Sequence, residues 1–318
     1  MVKLWVANTD LEWFDYLAGQ ADVDEVNFWQ PSGDKTFGAI HPGELFLFKL
    51  KSPRNVIGGY GVLSQSSNLP LSLAWEAFGT KNGARSLLEM RQRIGRYRRD
   101  GATAKDYTIG CRIVVQPVFF PEALWIEQPK SWARSIVVGK VFDTDNPEGL
   151  RLWTQLMEAT EAVRALQVGR DQAVADQRIG YVALGPRYGE PQIVRPRLGQ
   201  GAFRIAVTDA YKRQCAISGG RVLPALDAAH IRSYSEGGLH EVSNGLLLRR
   251  DIHCVFDAGY ATIDEGMRWV VSDRVRTDFN NGNEYRRLHG HKLSIPDLIA
   301  AQPDAEQLRW HRDNKFLG

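Results

Sequence analysis

Three polar side chains between residues 211 and 264 have the types and the spacing that suit hydrolysis of a phosphodiester bond. His230 ends a short apolar stretch, Asn244 lies in a turn-rich stretch, and His253 follows a second apolar run. Hydrolysis needs a water molecule that loses a proton as it attacks, and a positive centre for the charge that develops on the phosphate. A histidine suits the first task because its ordinary pKa of about 6.5 leaves neutral imidazole at pH 7. We therefore take His230 as the candidate general base and His253 as a candidate ligand of a divalent metal ion.

A β-hairpin packed against a helix would place these side chains around one phosphate. The stretch ALDAAHI (residues 225–231) predicts a strand that ends at the candidate base, and SYSEGGLHEVSNG (residues 233–245) predicts a loop. The stretch LLLRRDIHCVFDAG (residues 246–259) predicts a short strand and then a helix. The sequence thus predicts one histidine from a strand and one from a helix on opposite sides of the phosphate.

The spacing A-H-x13-N-x8-H, followed at once by CVFDAGY, resembles the HNH endonuclease family, and more narrowly its branch in predicted bacterial restriction endonucleases. The resemblance spans roughly residues 195 to 316. It implies a ββα-metal fold, one divalent ion (Mg²⁺ or Mn²⁺) and double-stranded DNA as the partner. It also implies that His230 activates the water, that Asn244 holds the loop carrying the base, and that His253 binds the metal ion from the helix.

The second protein ligand of that metal ion departs from the family's pattern. Many HNH sites have an aspartate or a second histidine directly before the catalytic histidine, and here that position is Ala229. Asp227 would share a strand face with position 229, so we take it as a candidate ligand. Asp257 stands in an FDAG sequence, where we expect it to cap or turn the backbone. No role is assigned to the other histidines nearby: His240, His289, His291 and His311.

Length and composition favour an α+β protein with two domains. At 318 residues the chain suits two domains of roughly 150 residues. Its 43% hydrophobic and 24% charged residues are ordinary for a globular protein. We expect a recognition domain over residues 1–158, a connecting helix and a linker over residues 159–194, and the HNH domain over residues 195–318.

Short apolar runs in the first half predict strands at VKLWVAN, ELFLFKL, VIGGYGVL, CRIVVQPVFF and SIVVGKVF. Helical segments, LSLAWEAFG and SLLEMRQRIGRYRR, lie between the third and fourth, so we expect a small curved or barrel-like sheet with helices against it. The segments NFWQPSGDKTFGAIHPGELFLFKL, IGGYG, AWEAFG and VFFPEALWI resemble PUA-like domains of the EVE type. Such domains occur fused to HNH nucleases and are associated with modified bases such as methylated cytosine.

That second resemblance implies a pocket for a base that has left the DNA stack. Aromatic walls would offset part of the unstacking cost, and polar groups would recognise the Watson–Crick edge. The candidates for such a pocket are Asn27, Trp29 and Trp75.

Charge favours a polyanionic partner only locally, because the net charge is +3. Basic residues cluster just ahead of the HNH motif and would neutralise DNA phosphates. The candidates for these contacts are Arg195, Arg197, Arg204 and Arg213.

The three cysteines, Cys111, Cys215 and Cys254, form neither a disulfide framework nor a CxxC zinc site. The first residues lack the unbroken apolar run of a signal peptide, and no stretch reaches the ~18 apolar residues of a membrane span. We therefore expect a soluble cytoplasmic protein without a membrane partner. One ββα-metal site cuts one strand at a time, so a double-strand break would need a homodimer or two independent nicks.

Three functions remain open on the sequence. The first is a modification-dependent restriction endonuclease that recognises modified DNA, with modified cytosine as the expected base. The second has the same chemistry but is directed by a phosphorothioate backbone or an unmodified sequence. The third is a non-catalytic DNA-binding protein, which Ala229 favours.

Overall fold

The computed structural model describes residues 2–34, 36–98, 106–171 and 198–318. The chain divides into two compact units, Met1–Arg197 and Leu198–Gly318. The linker predicted before residue 195 lies outside the described residues from position 172 onward. None of the helices in the described part is both long and apolar enough to cross a membrane.

The first unit is built on one mixed β-sheet. Its strands are β1 (Lys3–Thr9), β2 (Glu25–Gln30), β3 (Leu45–Leu50), β4 (Val56–Pro70), β5 (Thr108–Phe119), β6 (Ile126–Glu127) and β7 (Gly139–Asp143). Strand β1 pairs in parallel with β3, and the other pairings are antiparallel. Strands β1, β3, β4 and β5 coincide with predicted apolar runs, β7 overlaps the last four residues of the run SIVVGKVF, and the two-residue β6 was not predicted. The sequence analysis missed β2, which opens with the buried Glu25 paired to Lys81 at 3.2 Å and so lacks an apolar start.

The sequence predicted a curved or barrel-like sheet, and the described strands form no closed barrel. Within the described residues the order is β2-β5-β4-β3-β1-β7, with β6 beside β4, so β2 and β7 lie at opposite ends and the sheet stays open. Closure would require those end strands to pair. The short 3₁₀ turn Gly79–Asn82 packs on β2, and Asn82 bonds two of its side chains. The α+β class of the prediction agrees with the observed elements.

Four helices accompany this sheet: α1 (Leu11–Ala18), α2 (Leu71–Phe78), α3 (Leu87–Gly95) and α4 (Pro147–Asp171). Asp10 caps α1 by accepting a hydrogen bond from the Trp13 backbone amide. The core between α1 and the sheet is aromatic, because LFLFKL in β3 is buried along its whole length. Phe46 and Phe48 pack there with Phe28 at ring distances of 4.8 and 6.5 Å.

The second unit holds the predicted hairpin and helix. Its strands are β8 (Leu226–His230), β9 (Gly245–Arg249), β10 (Ala261–Ile263) and β11 (Trp269–Val271). Its helices are α5 (Gln200–Ala210), α6 (Arg250–Asp257), α7 (Arg274–Phe279), α8 (Asn283–Arg286) and α9 (Ala305–Asn314). Strands β8 and β9 pair antiparallel, so that His230 lies opposite Gly245.

Helix α6 packs onto this hairpin through an apolar stripe. Ile252 and Phe256 are spaced four residues apart, are both fully buried, and belong to the same hydrophobic core cluster as Leu246 and Leu248 of β9. The opposite face of α6 stays polar. This amphipathic pattern fixes the rotation of α6 and thereby the direction in which His253 points.

Candidate active site

The hairpin and α6 bring three of the predicted site residues, Asp227, His230 and His253, to one pocket of about 460 Å³. Strand β8 contributes Asp227 and His230 to one side of the pocket, and α6 contributes His253 and Asp257 to the other side. The pocket is lined by, among others, Arg204, Asp227, His230, His253, Asp257 and Lys315.

His230 is held as a neutral, half-buried ring. It stacks on Phe203 with ring centroids 3.9 Å apart and planes 12° apart. Its Nε2 lies 2.9 Å from Nδ1 of His240. Burial, together with the nearby His240, lowers the pKa of His230 to about 4. The side chain therefore carries an unprotonated nitrogen at neutral pH, as a general base requires.

Asn244 fastens the loop between the two strands. The side chain is only 3% exposed. Its Oδ1 accepts a hydrogen bond from the Arg232 backbone amide at 3.0 Å. Its Nδ2 donates to the carbonyls of Arg232 and Leu239, each at 2.9 Å. These contacts tie both ends of the loop that follows His230 to one buried amide.

His253 lies between two carboxylates. Its Nδ1 is 3.2 Å from Oδ2 of Asp227, and its Nε2 is 3.1 Å from Oδ2 of Asp257. Burial works against a charge on this ring, but the bonds to Asp227 and Asp257 outweigh it and raise the pKa of His253 to about 9. The same bond outweighs burial at Asp227 and lowers the pKa of that carboxyl. Without a metal ion, His253 is thus an imidazolium at pH 7.

The donor types at this position fit a divalent metal ion. Carboxylate oxygens suit Mg²⁺ and Mn²⁺, and imidazole is a common ligand of transition metals. In the described part of the chain no group of three or more His, Cys, Asp or Glu side chains already converges on one point. An ion would therefore take the place of the proton on one ring nitrogen of His253 and draw the adjacent carboxylate toward it.

Asp257 corrects one expectation from the sequence. It was expected to cap or turn the backbone, yet it is the last residue of α6 and its carboxylate contacts His253. The two residues are four apart on a helix, which puts them on one face. That spacing was the signal in the sequence that could have identified it.

His240 corrects a second expectation, because it had been assigned no role and contacts the candidate base. It reaches His230 from the loop, and no local pattern in the sequence indicates this contact. His311 lines the pocket but is 2% exposed. Its Nδ1 lies 2.9 Å from Oγ1 of Thr262, and it stacks on Phe256 with ring centroids 3.9 Å apart. We assign His311 to the core.

The predicted phosphate-contacting arginines differ in their positions. Arg204 lines the pocket, and its Nε lies 3.7 Å from Oδ1 of Asp227. Arg213 lies in the turn that follows α5, bonds Asp209 at 3.3 Å and is not among the residues of the pocket wall. Arg195 and Arg197 lie outside the described residues.

Two of the three candidate base-pocket residues of the first unit contact Asn82. Asn27 is fully buried, and its Nδ2 donates to Oδ1 of Asn82 at 2.8 Å. The indole N–H of Trp29 donates to the backbone carbonyl of Asn82 at 3.0 Å. Trp75 is half-buried on α2. The Asn27 side chain is therefore not exposed to solvent in this arrangement.

Comparison with known proteins identifies the second unit. The HNH endonuclease family described as HNH_2 matches residues 215–264. A comparison with curated proteins gives no match. One similar solved structure is titled "Modification dependent TagI restriction endonuclease", with 13% identity, 94% of this chain and 78% of that chain covered, and a TM-score of 0.29. The chain therefore contains an HNH endonuclease domain, whose matched segment includes β8, β9, α6 and all three residues of the predicted motif.

Proposed function

We propose that this chain is a modification-dependent DNA restriction endonuclease. Residues 1–158 would recognise modified DNA, with modified cytosine as the expected base. Residues 195–318 would hydrolyse phosphodiester bonds of double-stranded DNA with one Mg²⁺ or Mn²⁺ ion.

The hydrolytic part of the proposal is supported by two histidines that line one pocket and differ in charge at pH 7. His230 is neutral at pH 7, and His253 lies between two carboxylates with its pKa raised to about 9. Phosphodiester hydrolysis needs both a neutral base and a centre that accepts a cation. Two groups whose surroundings move their pKa values apart are the pattern expected for such a division of roles.

His230 would act on the attacking water. As the water oxygen forms its bond to phosphorus, its proton moves to the free nitrogen of His230. The bond from phosphorus to the leaving 3′ oxygen breaks, and that oxygen keeps the electron pair and takes a proton from solvent. Arg204 and Lys315 line the same pocket, beside Asp227 and Glu236 respectively, and would offer positive charge to the phosphate.

His253 and one of the two carboxylates beside it, Asp227 or Asp257, would hold the divalent ion. When bound, the ion supplies positive charge to the phosphate and to the leaving oxygen. His253 would bind through one ring nitrogen and keep a carboxylate on the other. Ligating histidines are commonly oriented by such a bond, which fixes the ring and strengthens it as a ligand.

The recognition role of the first unit rests on a different observation. The Oδ1 atom of Asn27 is buried and has no hydrogen-bond partner among the described residues. Buried polar atoms are rarely left unbonded, and an amide oxygen is an acceptor suited to an exocyclic amine such as that of cytosine. Trp29 and Trp75 provide aromatic surface in the same unit.

Cleavage of matched plasmids tests the proposal. Supercoiled plasmid carrying 5-methylcytosine, 5-hydroxymethylcytosine, phosphorothioate linkages or no modification is incubated with Mg²⁺ or Mn²⁺ and, in parallel, with EDTA. We expect metal-dependent cutting of cytosine-modified DNA. If only phosphorothioate or unmodified DNA is cut, recognition of modified cytosine is wrong and the DNA that is cut is the target. Binding without cutting under every condition would make the chain a non-catalytic DNA-binding protein.

A further inference from the structure

The imidazoles of His230 and His240 form a direct pair. Nε2 of His230 lies 2.9 Å from Nδ1 of His240, and the ring planes meet at 62°. Each ring is also packed from a second side. Phe203 stacks on His230 at 3.9 Å, and Tyr234 stacks on His240 at 5.0 Å with planes 6° apart. The two rings therefore have little freedom to turn away from each other.

The loop that carries His240 is itself fastened. Asn244 accepts from the Arg232 amide and donates to the carbonyl of Leu239, the residue before His240. A side chain at Gly238 would collide with the carbonyl oxygen of Arg232, so the loop backbone approaches itself closely there. Contacts with the backbone therefore hold in place the loop that carries His240.

When both imidazoles are neutral, a hydrogen bond between them needs one donor and one acceptor. If Nε2 of His230 donates, its Nδ1 is unprotonated and can take a proton from water. If Nδ1 of His240 donates instead, His230 carries its proton on Nδ1 and cannot act as a base through that atom. Nδ1 of His230 has no hydrogen-bond partner among the described residues, and its ring lines the pocket.

We propose that His240 is a positioning residue that holds His230 in the tautomer with hydrogen on Nε2. This inference rests on the proposed role of His230 as the base. In that tautomer the acceptor is Nδ1 of His240. When His230 takes the water's proton and becomes positive, its Nε2–H becomes a charged donor, so the bond to His240 strengthens during the reaction. The geometry thus adds a fourth residue to the predicted three-residue motif.

Two substitutions at one position separate positioning from packing. His240→Phe keeps a flat ring for Tyr234 to stack on and removes the acceptor. His240→Asn places an amide oxygen at the same distance along the side chain as Nδ1 and restores the acceptor. His291→Phe, at an exposed histidine of the same unit, is the matched control for the substitution itself.

The first measurement is single-turnover cleavage of cytosine-modified plasmid at saturating protein, beside thermal melting of each variant. We expect His240→Phe to lower the rate about tenfold or more, because loss of a bond that orients a histidine has effects of this size. Its melting temperature should equal that of the His291→Phe control. His240→Asn should recover the rate to within about threefold of the unsubstituted protein. A His240→Phe rate within threefold of the unsubstituted protein would overturn the inference.

The second measurement needs no cleavage. Nitrogen-15 NMR of the full chain with labelled histidine reports which ring nitrogen of His230 carries hydrogen, and the His230→Ala spectrum assigns the signals. At pH 8 we expect hydrogen on Nε2 of His230, and a mixture of both tautomers in His240→Phe. Hydrogen on Nδ1 in the unsubstituted protein, or an unchanged tautomer in His240→Phe, contradicts the inference. If His230→Ala still cuts DNA, the proposed base is wrong, whereas the spectra decide the role of His240 independently.

Discussion

His230 and His253 show how one residue type is given two roles by its surroundings. His230 meets an aromatic ring and another imidazole, so it stays neutral. His253 meets two carboxylates, so it binds a proton tightly and offers the same position to a metal ion. The neighbours of His230, Phe203 and His240, are distant in sequence. Of the neighbours of His253, Asp257 is one helical turn away and Asp227 comes from strand β8.

Loss of the base should abolish cleavage and spare DNA binding. His230→Ala removes the proton acceptor but leaves Arg204 and Lys315 in the pocket wall. We expect the single-turnover rate to fall by about 100-fold or more, with DNA affinity within a few-fold of the unsubstituted protein. Plasmid nicking and fluorescence anisotropy measure the two quantities. Cutting at more than about a tenth of the original rate would rule out this base.

Loss of the Asp257 carboxylate should lower the affinity of the site for the metal ion without unfolding the protein. Asp257→Asn keeps a hydrogen bond to His253 and removes the charge. We expect the Mn²⁺ concentration for half-maximal cleavage to rise about 10- to 100-fold, as for other changes beside a metal ligand. Asp273→Asn, at an exposed carboxylate paired with Arg286, is the charge-matched control. Unchanged metal dependence in Asp257→Asn would remove Asp257 from the ligand set.

At the scale of secondary-structure elements, the two strands and the helix of the HNH motif were predictable from the sequence. The contacts made by the loop between those strands were not. The strand ending at His230, the following strand and the helix carrying His253 were each predicted, because apolar runs and the amphipathic stripe of α6 dictate them. His240 was missed because its contact depends on how the loop folds back, which no periodicity encodes. The choice between a curved and a barrel-like sheet stayed open because apolar runs indicate strands but do not specify which strands pair.

The charge states predict how the metal-free HNH domain responds to pH. The pKa of His253 is raised to about 9, so its stabilisation is fully present below the unfolded value of about 6.5 and is lost as pH rises through 9. Burial lowers the pKa values of His230 and His311 to about 4. Unfolding exposes these two rings to protonation, so stability falls as pH decreases from about 6.5 to 4.

Thermal melting in EDTA checks the alkaline side of this profile. The unsubstituted protein should melt higher than His253→Gln at pH 6.5, and this difference should shrink steadily toward pH 9. The control is His291→Gln, which should show a small difference that does not vary with pH. A difference between the unsubstituted protein and His253→Gln that is constant from pH 6.5 to 9 would show that the His253 charge does not stabilise the fold.

At the scale of the whole molecule, cutting and recognition are expected in separate units. The first unit has its own sheet and aromatic core, and the HNH motif lies entirely in the second. Phosphate contacts position a protein on DNA, and base contacts specify the site. Changes in the first unit should therefore alter which DNA is bound without changing the chemistry of cleavage.

Trp75→Ala in the full chain tests this separation. The His230→Ala background prevents cutting, so that binding to cytosine-modified and unmodified duplexes is compared directly. Stacking of a base on one aromatic ring contributes ~1–3 kcal/mol, so the preference for modified DNA should fall about five- to 150-fold. Salt-dependent binding to unmodified DNA should persist, because it depends on phosphate contacts.

Trp132→Ala, at another half-buried tryptophan of the first unit, is the control. It should lower the melting temperature without changing the preference, because loss of packing alone weakens both kinds of binding together. Titrations at two salt concentrations separate the selective part of the affinity from the electrostatic part. If the His230→Ala protein shows no preference between modified and unmodified duplexes, base recognition by the first unit is wrong. If the preference exists but survives Trp75→Ala, the base is recognised elsewhere in that unit, and Trp29→Ala becomes the discriminating variant.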